Sequence, residues 1–429
     1  MLAAFPAGAR RAVIACLALA AAMLAAGGEC AAASLGDRFD PVEVHGFLEV
    51  RGGGRIREDA HAKDASVLDL RVQCEASTQT DWAQFKLKQD IWHDGILGRV
   101  EGDTREAWMF LRPTDNLDLK LGRQVLTWGT GDLVFLNDLF PKDWQSFFIG
   151  RDDEYLKAPS DSVKASLFFG RLNVDLVLTP LFASDRFITG RYISYWDGSR
   201  GALTGGDAGL DYERPDRWAA DAEYALRLYR SVGAFELAAY GYFGFWKNPG
   251  GADARGTAIF PRLHVYGASV RGPLAGGIAN AEFAYYDSTE DRGGRNPGIN
   301  NSELRYLVGY ARELCRDCTG SVQYYVEQLL GYDSYAATFN GRRRRDEFRH
   351  VLTVQVSKLL MNQNLELAVS GYWSPSDADA YLRPRIVYKW TDDIRQEIGA
   401  NIFTGDHLGT MFGQYRNNSN LYMALRYSF

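Results

Sequence analysis

Basic side chains recur at alternate positions in short stretches of this chain: Lys86 and Lys88, then Lys120, then Arg383, Arg385 and Lys389. Arg105, Lys164 and Arg395 join them on neighbouring stretches. A spacing of two puts such residues on one face of an extended strand. Acids recur in the same way, at Asp69, Glu75, Asp118, Asp175, Glu223, Glu282, Glu327, Glu366 and Glu397. Opposed basic and acidic ladders along a water-filled passage would set a transverse field and filter the solutes that pass, anionic ones such as a carboxylate or uronate being favoured. Paired with each other, the same charges would only keep the passage wet. Both readings are open from the residues alone.

The segments that carry these charges read as strands half in oil. In "SVLDLRVQCEAS", Leu68, Leu70, Val72 and Cys74 share one face, and Asp69, Arg71, Gln73 and Glu75 share the other. "DWAQFKLKQDIW" sets Phe85, Leu87 and Ile91 against Gln84, Lys86, Lys88 and Asp90. "NLDLKLG" and "GSVQYYVEQ" repeat the pattern. Period two with ionised alternates places one face in an apolar medium and the other in water. The expected fold is all-β, a transmembrane antiparallel up-and-down barrel of about 18 strands.

The connections support that expectation. Short turns at "QTD", "RPTDN", "FFGRLN", "YRSVGA", "GPLAGG", "LCRDCTG", "LLMNQN" and "WTDD" alternate with longer links, among them 124–161, 180–216, 247–261, 287–302, 332–346 and 404–418. Outer-membrane barrels have this asymmetry of ends. The final "LYMALRYSF" aligns Leu421, Met423, Leu425, Tyr427 and Phe429 on one face and ends on an aromatic, resembling the signal read by the bacterial barrel-assembly machinery. Trp92, Trp108, Trp246, Trp373 and Trp390 fall near strand ends, where an interfacial aromatic girdle is expected.

At the N-terminus, Arg10 and Arg11 precede "AVIACLALAAAMLAA" and a small-residue site, the plan of a secretory signal peptide. The expected division is a leader at 1–33 and a barrel at 34–429, delivered to the bacterial outer membrane. Cys30 offers a lipoprotein anchor as the lesser alternative. Cys315 and Cys318 read as a pair that stiffens a turn.

One link stands apart. Residues 124–161 include "GTGDLVFLNDLFPKDWQSFFIGRDDEYLKAPSD", too apolar for open water, while Pro141 and Pro159 argue against a helix. Its large apolar residues would cost roughly 1.5–3 kcal/mol each if left exposed. The expectation is that it folds inward and narrows the lumen. Trp144, Phe147 and Phe148 would then wedge against the wall while Arg151, Asp152, Asp153, Glu154 and Lys157 face the pore. The alternative is an external cap or oligomer contact.

"LKLGRQVLTWGTGD" resembles the strand-and-loop signature of alginate-export-type outer-membrane porins and of related uncharacterised proteobacterial barrels, through Gly122, Arg123, Gln124, Trp128 and Gly129. The resemblance implies a monomeric, 18-stranded channel for some solute, with an inward-folded loop after this strand. It covers residues 117–161 closely, and "NDLFPKDW" departs from what alginate exporters carry.

Other classes find little support. The net charge of −6 supplies no basic field for nucleic acid. His45, His61, His93, His264, His350 and His407 lack metal-ligand spacing, and no hydrolase or nucleotide-binding motif occurs, so no enzyme activity, metal or cofactor is implied. "NGRRRRDEFRH" offers Arg342, Arg343, Arg344 and Arg345 either to lipopolysaccharide phosphates or to water. The expected partners are outer-membrane lipid and lipopolysaccharide, a small solute or oligosaccharide, and the assembly machinery. The competing readings are a secreted soluble β-sandwich or propeller, a non-conducting barrel serving as partner or sheath of an export or electron-transfer complex, and, least, an outer-membrane hydrolase.

Overall fold

The computed structural model describes residues 42–429 apart from Ser199, Asp207, Asn340 and Arg342. The leader expected at 1–33, with Cys30, lies outside the described residues, as does Arg342.

Eighteen antiparallel strands make one closed sheet. The first seven are β1 (Glu43–Arg55), β2 (Ala65–Gln79), β3 (Ala83–Asp94), β4 (Arg99–Thr114), β5 (Leu117–Val125), β6 (Pro159–Phe168) and β7 (Asn173–Thr179). There follow β8 (Glu223–Val232), β9 (Phe235–Phe245), β10 (Arg262–Leu274), β11 (Gly277–Ser288), β12 (Glu303–Cys315) and β13 (Cys318–Leu329). The last are β14 (Phe348–Leu360), β15 (Leu365–Ser374), β16 (Asp379–Lys389), β17 (Ile394–Gly405) and β18 (Asn420–Ser428). Each pairs with its neighbour in sequence, and β18 returns to β1 with Leu48 opposite Tyr427 and Val50 opposite Leu425. Closure leaves no edge strand, which backbone polar groups in hydrocarbon require.

Burial is inverted relative to a water-soluble fold. On β2, Leu70 is 39% exposed and Val72 41%, while Arg71 between them is 2% exposed. On β3, Leu87 and Ile91 are exposed and Asp90 is fully buried. The exposed apolar row continues around the barrel through Leu176, Tyr224, Val308, Val322, Val354, Ile386 and Ile398. An apolar belt of this extent has no stable place in water and a natural one in lipid. No helix among the described residues is long and apolar enough to cross a membrane, so any crossing is made by strands.

The short turns fall at one end, at 80–82, 115–116, 169–172, 233–234, 275–276, 316–317, 361–364 and 390–393, as read from the sequence. The opposite end carries every long link, the largest being 126–158 and 180–222. Small pieces cover that mouth: hairpins Tyr195–Asp197 with Ala202–Thr204 and Gly251–Ala252 with Ala258–Ile259, and a short helix over Tyr332–Thr338.

Strand-end position misassigned most of the tryptophans. Trp373 and Trp390 stand exposed on the outside. Trp92 faces in, beneath the guanidinium groups of Arg71 and Arg151, and Trp108 faces in beneath the Lys120 ammonium. Trp246 is buried against Tyr286 and donates to Ser288 Oγ. The parity of the strand decides the face, and nearness to a strand end does not.

Candidate functional site

The lumen is occupied from within by residues 126–158. The entry to this loop explains the motif residues. Gly122 on β5 has φ +117°, and a Cβ there would meet the Ala107 carbonyl oxygen at 2.3 Å, so glycine alone fits the strand at this kink. Gln124 is fully buried and donates from Nε2 to the Ser162 carbonyl at 3.0 Å, tying β5 to β6 where the loop leaves. Arg123 points the other way and holds the Thr104 carbonyl and Asp161. Trp128 is buried edge-on to Phe140, centroids 4.9 Å apart. Gly129, at φ +80°, then turns the chain across the barrel.

The far wall receives it. Glu282 on β11 accepts the N–H groups of Thr130 and Gly131, the latter at 2.9 Å, and Asn137 Nδ2 at 2.9 Å. Tyr286 donates to the Leu136 carbonyl at 2.6 Å and Tyr372 to the Leu133 carbonyl at 2.9 Å. Leu136, Phe140, Phe147, Phe148 and Ile149 are buried in one apolar cluster with Tyr240, Leu307, Tyr325, Tyr381, Phe403 and Tyr422, which come from strands on several sides of the barrel. A core of the kind found in soluble proteins has thus been built inside the barrel.

The two prolines do not exclude helix, as the sequence suggested they would. Helix α1 (Trp144–Ile149) forms between them because Asp143 caps it, Oδ1 accepting from Ser146 N at 2.7 Å, and Gly150 ends it in the left-handed region. Its last residues present the charged run to the wall. Arg51 Nη1 donates to the Gly150 carbonyl at 2.7 Å. Arg151 pairs with Asp69 at 2.7 Å and Asp94 at 3.4 Å. Asp152 lies between Arg395 and Arg426, and Asp153 pairs with Arg383 at 2.7 Å and Arg385 at 3.2 Å. Glu154 faces Lys88 at 3.8 Å. The Tyr155 ring sits between the guanidinium groups of Arg71 and Arg105, and Arg105 also donates to the carbonyls of Glu154 and Lys157. Lys157 itself turns back to Thr127 Oγ1 at 2.8 Å, at the root of the loop.

Burial would raise the Asp152 carboxyl, but the Arg426, Arg395 and Arg51 guanidinium groups outweigh it and hold it below the usual carboxylate range. Burial likewise drives the Tyr155 phenol well above its ordinary value, although Arg71 pulls the other way.

The remaining basic residues read from the sequence also point inward. Lys86 pairs with Glu75 at 2.7 Å, and Lys164 with Asp175 at 3.5 Å. Arg385 reaches Glu366 at 2.9 Å, and Lys389 ends its strand in an exposed position. Lys120 rests on the Trp108 ring, 4.0 Å from its centroid, and makes no ion pair among the described residues. Arg105 shares the lumen with its neighbour Glu106 because a bulge opposite Lys88 and Gln89 inserts one residue in β4.

The expected geometry of opposed ladders needs correcting. Closure of β18 on β1 makes the two basic groups, on β3–β6 and on β16–β17, parts of one arc, and Arg51, Arg71 and Arg426 fill the gap between them. Alternation in "LEVRGGGR" and "MALRYSF" carried the signal for Arg51 and Arg426, which sequence reading passed over. Acids interleave with this arc and pair with it, Arg51 with Glu49 and Glu397 and Arg71 with Asp90. Glu223, Glu282 and Glu327, on β8, β11 and β13, stand across the channel and are engaged there by Lys247, by loop N–H groups and by Arg345.

At the mouth, the arginine run is partly spent on the barrel. Arg345 reaches Glu303 at 3.1 Å and also Glu327, Arg343 donates to the Ser376 carbonyl at 3.2 Å, and Arg344 lies over Tyr332. Cys315 and Cys318 face each other across the 316–317 turn as free thiols.

No family model matches the chain, and no curated protein matches it by sequence. Solved structures do. OccAB3 of Acinetobacter baumannii superposes with a TM-score of 0.53 at 10% identity, over 90% of this chain and 99% of that one. OccAB4 of the same organism gives 0.53 at 10% identity, over 91% and 99%. OccD3 (OpdP) of Pseudomonas aeruginosa gives 0.50 at 10% identity, over 94% of each chain. At such identities the likeness is one of architecture, and it covers nearly the whole of both chains: this chain has the closed 18-stranded barrel fold of outer-membrane porins.

Proposed function

We propose that this protein is an outer-membrane channel that lets small solutes, acids in preference to cations, diffuse passively through a lumen narrowed by residues 126–158. The observation that carries the reading is the basic arc that lines the passage beside the loop. Its pairs with Asp152, Asp153 and Glu154 fix the loop, while Lys120 and Lys389 make no ion pair among the described residues. Rings of charge close to the permeant set selectivity in such passages. The apolar outer belt and the porin-like fold support the membrane. An acidic solute is also compatible with the alginate-export-type resemblance of residues 117–161, which is the finer family proposal. Lipopolysaccharide at the mouth and recognition of β18 by the assembly machinery belong to the same proposal.

Bilayer recordings on the purified protein test it. The intact chain is expected to conduct with a reversal potential on the anion side in a potassium chloride gradient. Replacing residues 129–157 by a short Gly-Ser link is expected to raise the conductance. Failure of both forms to conduct would leave a non-conducting barrel, and an unchanged conductance would remove the constriction.

A further inference from the structure

Two thiols and an amine stand in a row at the short-turn rim. Cys315 ends β12 and Cys318 begins β13, opposite each other in register, with only Arg316 and Asp317 between them. On its other side Cys318 has Lys358 of β14 as register partner. Residues opposite one another in register share a face of the sheet. The Lys358 Nζ lies 3.9 Å from Cys315 Sγ, and the two thiols lie within hydrogen-bonding reach of each other. Cys315 is exposed and Cys318 half-buried, so a dissolved reagent can reach the pair.

The turn is already braced without a sulfur bridge. Glu313 accepts the Asp317 N–H at 3.2 Å, Lys358 Nζ donates to the Arg316 carbonyl at 2.6 Å, and Leu359 N donates to the Asp317 carbonyl at 2.9 Å. A disulfide stabilises in proportion to the loop it closes, and this one would close a very short loop. Exposed disulfides are the labile and exchangeable ones, in contrast to buried structural bridges. The arrangement therefore suits exchange better than the stiffening expected from the sequence. A cation beside a sulfur also stabilises the negative charge it carries while it attacks or leaves.

We infer that Cys315 and Cys318 are a reversible thiol-exchange site for low-molecular-weight disulfides, with Cys315 as the attacking sulfur and Lys358 as its positioning charge. The Cys315 thiolate attacks one sulfur of the reagent, forms a mixed disulfide and expels the first thiolate. The Cys318 thiolate then attacks the Cys315 sulfur and expels the second. The pair loses two electrons and two protons, and the reagent leaves as two thiols. Short turns of outer-membrane barrels face the periplasm, where such disulfides persist. The site is independent of conduction, and a barrel that conducts nothing would keep it.

Glutathione, oxidised and then reduced, is the probe for the full chain folded in detergent. Alkylation, denaturation and trypsin cleavage after Arg312, Arg316 and Arg342 put the two cysteines on separate peptides, 313–316 and 317–342. After millimolar oxidised glutathione the two peptides are expected to travel linked in the mass spectrum, and after millimolar reduced glutathione to separate. Cys74, on β2 between Gly46 and Gln89, is the control that should form no linked peptide. Cys318→Ser should trap a glutathione adduct on Cys315. Lys358→Met should slow linking about fivefold, the effect of one unit charge near 4 Å in water, and Lys358→Arg should restore most of the rate. Peptides that never link would overturn the site, and a link that reduced glutathione does not open would overturn its reversibility. Adduct on Cys318 in Cys315→Ser, equal to that on Cys315 in Cys318→Ser, would overturn the order of attack. An unchanged rate in Lys358→Met would remove the lysine from the site.

Discussion

The Glu282 carboxylate accepts the backbone N–H of Gly131 at 2.9 Å across the lumen, although the two residues stand 151 positions apart. It also accepts from Thr130 and from Asn137, so one wall side chain orders the first third of the loop. Removing an acceptor from buried donors costs about 1–3 kcal/mol. Glu282→Ala is therefore expected to release that stretch without opening the barrel. The checks are larger current fluctuations in single-channel records and faster proteolytic nicking within 129–140.

Asp153 sets the balance of charge beside the passage. It is half exposed and pairs with Arg383 and Arg385. Asp153→Asn keeps its shape and removes one negative charge from the basic arc. The expected result is a reversal potential moved further to the anion side, by an amount that shrinks as salt rises, because exposed charges are screened over about 10 Å at 0.1 M. Arg385→Ala should move it the opposite way.

The latch at Asp152 gives a pH dependence of definite sign. Its carboxyl is held below the usual range by Arg426, Arg395 and Arg51 against the opposing effect of burial. A depressed folded value means that the stabilisation is fully present above the unfolded carboxylate value, about 3.9, and is lost as pH falls through the lower folded value. Conductance is thus expected to be flat from neutral pH to mild acid and to change only in strong acid. Asp152→Asn should abolish that acid step, as read by conductance against pH.

Gly122→Ala tests the kink at the head of the loop. The added Cβ would meet a backbone oxygen at 2.3 Å in a conformation that side chains rarely adopt. A loss of about 1–3 kcal/mol is expected. The measurement is the temperature at which the folded, heat-resistant form in detergent converts to the unfolded one. The wild-type chain should convert at the higher temperature.

The terminal aromatic closes the sheet. Phe429 exchanges backbone hydrogen bonds with Gly46 at 2.9 and 3.0 Å, and its ring covers the space where a Gly46 side chain would be. Deleting Phe429 is expected to lower the yield of folded barrel in the membrane fraction, and an aromatic replacement, Phe429→Tyr, to restore most of it.

Much of this was legible because strand parity is a local property. Leu70 beside Arg71, or Ile91 beside Asp90, announces two media on two faces, and the alternation of short and long connections follows from the up-and-down path. Parity also placed Lys86, Lys120 and Arg383 inward. What it could not show was pairing at long range: nothing near Glu282 announces Gly131, and nothing near Asp152 announces Arg426. Trp92 and Trp108 were misread because nearness to a strand end was allowed to outweigh parity. The interleaving of acids with the basic arc depends on which strands become neighbours when the sheet closes, which no single segment encodes.

The run from Gly150 to Asp153 touches five adjacent strands, β1, β2, β18, β17 and β16, through Arg51, Asp69, Arg426, Arg395 and Arg383. Those strands flank the joint where β1 and β18, the first and last strands, pair. The segment therefore works as an internal clasp on the seam, so its docking and the final zipping of the cylinder favour each other. A nascent chain with its clasp out of place would carry a gaping side wall, and damage at the clasp would first show as slow, incomplete maturation in the membrane.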